Sequence, residues 1–272
     1  MYYIDAHTHL LDLSIASLKE MSLHNIRGVI SPVHLGAFKP VSKDTIIDVW
    51  DVQLEKQLGR AKQNFIDAWA MIGISMVSTP RDGVEELLAL LPSYLARPEV
   101  VAVGEVGFEP GSRTNADPAY QQTLLERQVD IVRDAGVTID IHVPNPMDRK
   151  VEATKRSLEI CRERGLDMSK VVIDHCTEAN IDLVLEAGAY AAISVQPWRV
   201  MNPENTADLL LKKKSDRVFV DSDSSDLISD PLAVAKVAFA LKARGADDAF
   251  IDACCCTNCM AAYGIRQFPA MG

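Results

Sequence analysis

Tyr2-Tyr3-Ile4-Asp5-Ala6-His7-Thr8-His9 reads as a short apolar strand that runs straight into two histidines separated by one residue. A strand opening a dinucleotide-binding fold is followed by a glycine-rich turn against which a pyrophosphate packs. Here that turn is Ala6-His7-Thr8-His9, so a Rossmann reading fits poorly. Side chains two apart on a strand point to the same side, and both imidazoles can therefore face one ion.

Outward from this stretch, short apolar runs alternate with longer helical patterns. Strands are expected at Tyr2–His7, Gly28–His34, Asp67–Ser75, Val100–Glu105, Val137–Val143, Val171–Cys176, Tyr190–Gln196 and Val218–Asp223. The segments between them carry helical periodicity, for example from Thr45, from Gly83 to Ala96, and from Arg149 to Arg164. Asp117-Pro118 and Asp230-Pro231 each pair an N-cap acid with a proline at the first helical position. Gly136, Gly165 and Gly245 are the matching stops. Strict βα alternation implies a parallel sheet with helical crossovers. Eight such units predict a closed (β/α)8 TIM barrel, and residues 1–272 read as a single barrel domain.

The 272 residues are 48% apolar and 24% charged, which suits a soluble domain with a sizeable core. A net charge of −10 argues against a duplex-coating protein, whose affinity comes largely from neutralising phosphates. The tight basic run Lys212-Lys213-Lys214 reads as the solvated end of a helix. No signal peptide or membrane-spanning apolar run is evident, and the six cysteines do not form a secreted disulfide pattern. The expectation is a cytoplasmic protein with reduced thiols and no membrane partner; the sequence leaves the oligomeric state open.

In a barrel, the residues that meet substrate sit at the C-terminal ends of the strands. Five of the expected ends carry metal-ligating types: His7-Thr8-His9, Glu105, Asp140-Ile141-His142, Asp174-His175 and Asp221-Ser222-Asp223. A single histidine at such a place is more often a satisfied polar residue than a ligand. The whole set on one face points to metal. Imidazole and carboxylate without thiolate suit Zn, Mn, Fe, Ni or Mg. The set exceeds the needs of one catalytic ion, so two divalent ions about 3.5–4 Å apart are expected, with Glu105 bridging. Asp223 or Asp221 is the candidate for managing protons.

These residues resemble the TatD-like metal-dependent hydrolases of the amidohydrolase superfamily. Val103-Gly104-Glu105-Val106-Gly107-Phe108-Glu109 is similar to that family's Gly-Glu-x-Gly-Leu-Asp stretch. Ile141-His142, Asp174-His175-Cys176 and Asp221-Ser222-Asp223-Ser224 resemble its later histidine and Thr-Asp-Ser segments. The resemblance implies that His7 and His9 hold one metal, His142 and His175 the other, with Glu105 between them. It assigns Asp223 as ligand and proton acceptor, with Asp221 in the place of the family's preceding Glu. There are departures. Gly73-Ile74-Ser75-Met76 lacks the family's His, Val143-Pro144-Asn145 lacks its Arg, and Thr177-Glu178-Ala179 replaces its Phe-Ser-Gly. Those positions border the substrate, so the pattern is that of a divergent branch with a kept metal site and a changed pocket.

His34, Lys39, Arg113, Trp198, Arg199 and Asp221 are candidate substrate contacts, against a plain reading as surface charge or packing. Cys254-Cys255-Cys256-Thr257-Asn258-Cys259 includes a C-x-x-C, but reads as part of a terminal helix whose thiols pack as small apolar groups. The expected function is hydrolysis by a metal-bound hydroxide at an ester, amide or phosphoester bond of a small or phosphorylated substrate. A TatD-like 3'-5' deoxyribonuclease is the first alternative, with nucleic acid not favoured by the charge. A non-catalytic metal- and ligand-binding barrel is the second.

Overall fold

The computed structural model describes residues 1–33, 35, 42–112, 117–145, 147–197, 200–225 and 229–267. Its strands are β1 (Tyr3–Asp5), β2 (Ile26–Pro32), β3 (Asp67–Met71), β4 (Val100–Gly107), β5 (Thr138–His142), β6 (Val171–Ile173), β7 (Tyr190–Ser194) and β8 (Val218–Asp221). They form one eight-stranded sheet in sequential order. Every neighbouring pair is parallel. The seam between β1 and β8 is joined just past the strand ends, where Thr8 bridges Ser224. There Asp223 N–H donates to the His7 carbonyl (2.9 Å) and His9 N–H to the Ser224 carbonyl (2.8 Å). The molecule is a (β/α)8 TIM barrel.

Local chemistry accounts for the crossovers. The helix Pro118–Ala135 starts where the Asp117 carboxylate accepts from Ala119 N–H, with proline in its first turn. It ends at Gly136, whose φ of 68° is the left-handed stop that glycine takes without strain. Its Leu124, Leu125, Val129 and Val132 face inward, a 3.6-residue stripe packed on the sheet. Asp230-Pro231 behaves differently from the sequence expectation. Asp230 still accepts from Leu232 N–H at 3.1 Å, but the helix proper is Ala233–Ala243.

Two apolar layers result. The larger lies between the sheet and the helices. The smaller fills the barrel interior with Ile4, Ile30, Met71, Val172 and Phe219, joined by Cys256, Cys259, Ala262 and Tyr263 of the C-terminal segment. That segment runs as Asp248–Asp252, a wide π turn Ala253–Thr257, and Asn258–Tyr263. Asn258 Nδ2 donates to the Val218 carbonyl (2.8 Å), and Thr138 Oγ1 to the Ala262 carbonyl (2.7 Å). Val218 and Thr138 begin β8 and β5, so the C-terminal helix stoppers the barrel at the strands' N-terminal end.

The sequence extends most strands too far. β1, β6 and β8 stop at Asp5, Ile173 and Asp221, so His7, His9, His175 and Asp223 lie in the segments just beyond their strands. β4 instead continues past Glu105 to Gly107. Gly107 has φ of 134°, and a Cβ there would collide with the His142 carbonyl oxygen. Only glycine lets β4 run this close to β5.

Candidate metal centre

The top of the barrel gathers His7, His9, Glu105, His142, His175 and Asp223 from five strand ends. His7 Nε2 and His9 Nε2 lie 3.3 Å apart. Asp223 Oδ1 is 3.3 Å from His9 Nε2 and 3.8 Å from His7 Nε2. On the other side, His175 Nε2 and His142 Nδ1 are 2.9 Å apart. Glu105 Oε1 is 2.5 Å from His142 Nδ1 and 3.3 Å from His175 Nε2. The halves adjoin, with the rings of His7 and His175 centred 5.8 Å apart. Two of the donor groups that could hold an ion are His7–His9–Glu105 and Glu105–His142–His175; Glu105 belongs to both.

Four further residues hold this constellation, and the sequence reading gave none of them that role. Asp174 Oδ2 sits 2.6 Å from His7 Nδ1, fixing that ring so that Nε2 turns inward. Ser194 Oγ meets His175 Nδ1 at 2.6 Å and Asp174 Oδ1 at 3.1 Å. Glu109 Oε2 is 3.3 Å from His142 Nε2, leaving Nδ1 for the centre. Gln196 Nε2 donates to Asp223 Oδ2 at 2.8 Å and to its carbonyl at 3.1 Å. The sequence carried a signal for Asp174 and Glu109, which stand within the quoted motifs. It carried none for Ser194 or Gln196, whose roles arise from contact between separate strands.

Electrostatics sharpen the picture. Burial pulls the His142 imidazole down, but Glu105 and Glu109 outweigh it and raise its pKa to about 9. Burial likewise opposes charge on Glu105, yet His142 and His175 hold its carboxyl well below the usual range. Asp223 is brought down to about 2, because its bond to His9 and the charges of His175 and His7 exceed the cost of burial. Beneath them, burial pushes Asp140 up to about 8 and Asp221 well above an ordinary carboxyl, with Asp174 adding repulsion to both.

Imidazole nitrogens in each pair approach to contact distance, where lone pairs repel unless a proton or cation lies between them. Asp5, Glu105, Asp140, Asp174 and Asp221 are all buried around them. Such crowding of buried acids calls for positive charge. The residues therefore fit divalent cations.

Among the other candidates, Asp221 is fully buried at the end of β8 with neither carboxylate oxygen hydrogen-bonded. His34, Lys39, Arg113, Trp198 and Arg199 lie outside the described residues. Cys254, Cys255, Cys256 and Cys259 are buried free thiols. Burial raises Cys254 and Cys256 to about 12, and all four thiols pack within the apolar layers.

The family model described as TatD related DNase matches residues 4–238. The chain belongs to that family. An uncharacterized metal-dependent hydrolase of Methanocaldococcus jannaschii is 28% identical over 245 residues, 90% of this chain and 93% of the relative. A TatD-like protein of Archaeoglobus fulgidus superposes with a TM-score of 0.76 at 23% identity, over 93% of this chain and 96% of that one. The phosphotriesterase homology protein of Escherichia coli, solved with phosphate in its active site, gives 0.69 at 16% identity, over 96% and 98%. The protein is thus a metal-dependent hydrolase of the TatD family. Among the described residues, no helix is long and apolar enough to cross a membrane.

Proposed function

We propose that this chain is a binuclear hydrolase acting on an ester, amide or phosphoester bond of a small substrate. The observation that carries the reading is Glu105, one carboxylate shared by the His7–His9 group and the His142–His175 group. His7, His9 and Asp223 would hold one divalent ion and His142 and His175 the other, with Glu105 serving both. Bound there, divalent ions would make a water more acidic and offset charge developing on the oxygen of the bond being cleaved. Asp223, ionised near neutral pH, accepts the proton of the attacking water and returns it to the leaving group. Gln196 fixes the carboxylate that does this.

A small substrate is favoured by the space available. A cavity of about 210 Å³ beside His175 is lined by Asn145, Met147, Thr177, Ser194, Val200 and Met201 among others. That is below the usual range for ligand pockets. It also includes Asn145 and Thr177, from the two stretches, Val143-Pro144-Asn145 and Thr177-Glu178-Ala179, that depart from the family pattern. The phosphate in the Escherichia coli neighbour keeps phosphoesters prominent on the panel.

Deoxyribonuclease activity at a strand end is the second reading, favoured by the family match. The test is a panel of p-nitrophenyl esters and phosphoesters, lactones, amides and 5'-labelled single-stranded DNA, with Mn, Zn or Mg added. Turnover of a small substrate that disappears in Glu105→Ala is expected. Efficient 3'-end trimming of DNA would replace the small-substrate reading, and turnover unchanged in Glu105→Ala would end the metal-centre reading altogether.

A further inference from the structure

Lys150 lies in the first turn of the helix Met147–Glu163 and has no exposed surface. Lysine is almost never fully buried without a strong reason, because taking an ammonium out of water is costly. Its Nζ donates to the carbonyl oxygen of His175 at 2.5 Å. His175 has a φ of 55°, a left-handed conformation unfavourable for a residue with a Cβ. Its N–H donates to Asp174 Oδ1 at 2.7 Å. This turn delivers two neighbouring side chains to the site. Asp174 orients His7, while the His175 ring meets Glu105 and His142.

We infer that Lys150 is a positioning residue for the metal centre, its buried ammonium locking the Asp174-His175 turn that feeds both halves of the site. The inference rests on the binuclear reading above. Lys150 also lines the cavity beside His175. Its Nζ is engaged by the His175 carbonyl, so its effect on the centre passes through His175. The rest of the loop has its own tie to the same helix. Asn180 Nδ2 donates to Thr154 Oγ1 (3.0 Å), and Asn180 Oδ1 accepts from Thr177 N–H (2.9 Å). Losing the ammonium therefore loosens the Asp174-His175 turn while the following loop stays anchored.

Four variants separate positioning from general support: Lys150→Met, Lys150→Gln, His175→Ala and Thr154→Val. Each is loaded with Zn or Mn, dialysed, and assayed for metal content, metal affinity by titration calorimetry, and thermal unfolding. Lys150→Met, close in size but uncharged, is expected to weaken the ion that His175→Ala loses by about 10–100-fold while remaining folded. Lys150→Gln keeps a donor, so it is expected to fall between Lys150→Met and wild type; should Lys150→Met not fold, it decides the question. Thr154→Val is expected to lower the unfolding temperature yet hold metal with wild-type affinity. Wild-type affinity in Lys150→Met, or an equal loss of metal in Thr154→Val, would overturn the inference. A wild-type chain that binds one ion would refute the binuclear reading, and the Lys150 comparison on that ion would still stand or fall by the same criterion.

Discussion

The two ends of the barrel interior are built from the same eight strands and carry opposite chemistry. At the strands' N-terminal end, Ile4, Met71, Val172 and Phe219 meet Cys256, Cys259 and Tyr263 in a dry apolar layer. At the other end, Glu105, Asp140, Asp174 and Asp221 crowd against four imidazoles with little exposed surface. The dry end lowers the free energy of the fold through burial. The acidic end raises it, since like charges in a buried space repel until cations arrive. Stability and chemistry are thus divided along the barrel axis. Tyr263 reaches between them, donating to Asp140 Oδ2 at 2.6 Å.

The division can be attacked at its strongest point first. Glu105→Ala should empty both halves of the centre and lower turnover by roughly 10³-fold or more, judged from the cost of removing a single charge-stabilising group elsewhere. Metal analysis and steady-state kinetics check it. At the opposite end, Phe219→Ala should cost about 3–5 kcal/mol of stability in urea unfolding while metal content stays at the wild-type value. Loss of metal in that variant would show that the two ends are not separable.

Acidity gives a subtler contrast. The folded-state pKa of His142, about 9, lies above its ordinary value of 6.5. Its stabilisation of the metal-free protein is therefore fully present below about pH 6.5 and lost as the pH rises through about 9, a difference of about 3 kcal/mol. Glu105, depressed by the same pairing, loses its share as the pH falls through its lowered folded-state pKa. Bound metal displaces the His142 proton, so the metal-loaded protein should not show the alkaline loss. Urea melts of both forms at pH 6 and pH 9.5 test this; identical pH profiles would contradict it. The smallest effect is expected from Tyr263→Phe, about 1–2 kcal/mol from an unpaired Asp140 oxygen, with metal content unchanged.

Much of this was legible in the chain because its signals are local. The βα alternation and the caps at Asp117 and Gly136 follow from neighbouring residues, and they gave the strand order of the barrel. The ligand candidates were legible for a related reason. The region that follows a strand is visible in sequence even where its last residue is not, and in a barrel all such regions converge. What stayed hidden depends on contact between distant segments. Nothing in the periodicity of Met147–Glu163 marks Lys150 as buried, and nothing near Gln196 indicates Asp223. Strand limits were misjudged because the apolar pattern continues through Ala6 and Val195 after the ladder has ended. The histidines at 7, 9 and 175 gain their geometry from the seam bridge and a left-handed turn instead of from strand pairing.

The central claim is that Glu105 joins two metal positions. Anomalous diffraction from crystals grown with Zn or Mn tests it most directly. Two peaks about 3.5–4 Å apart are expected on either side of the Glu105 carboxylate, one beside His7 and His9 and the other beside His142 and His175. A single peak, or peaks that leave Glu105 without a metal contact, would contradict it.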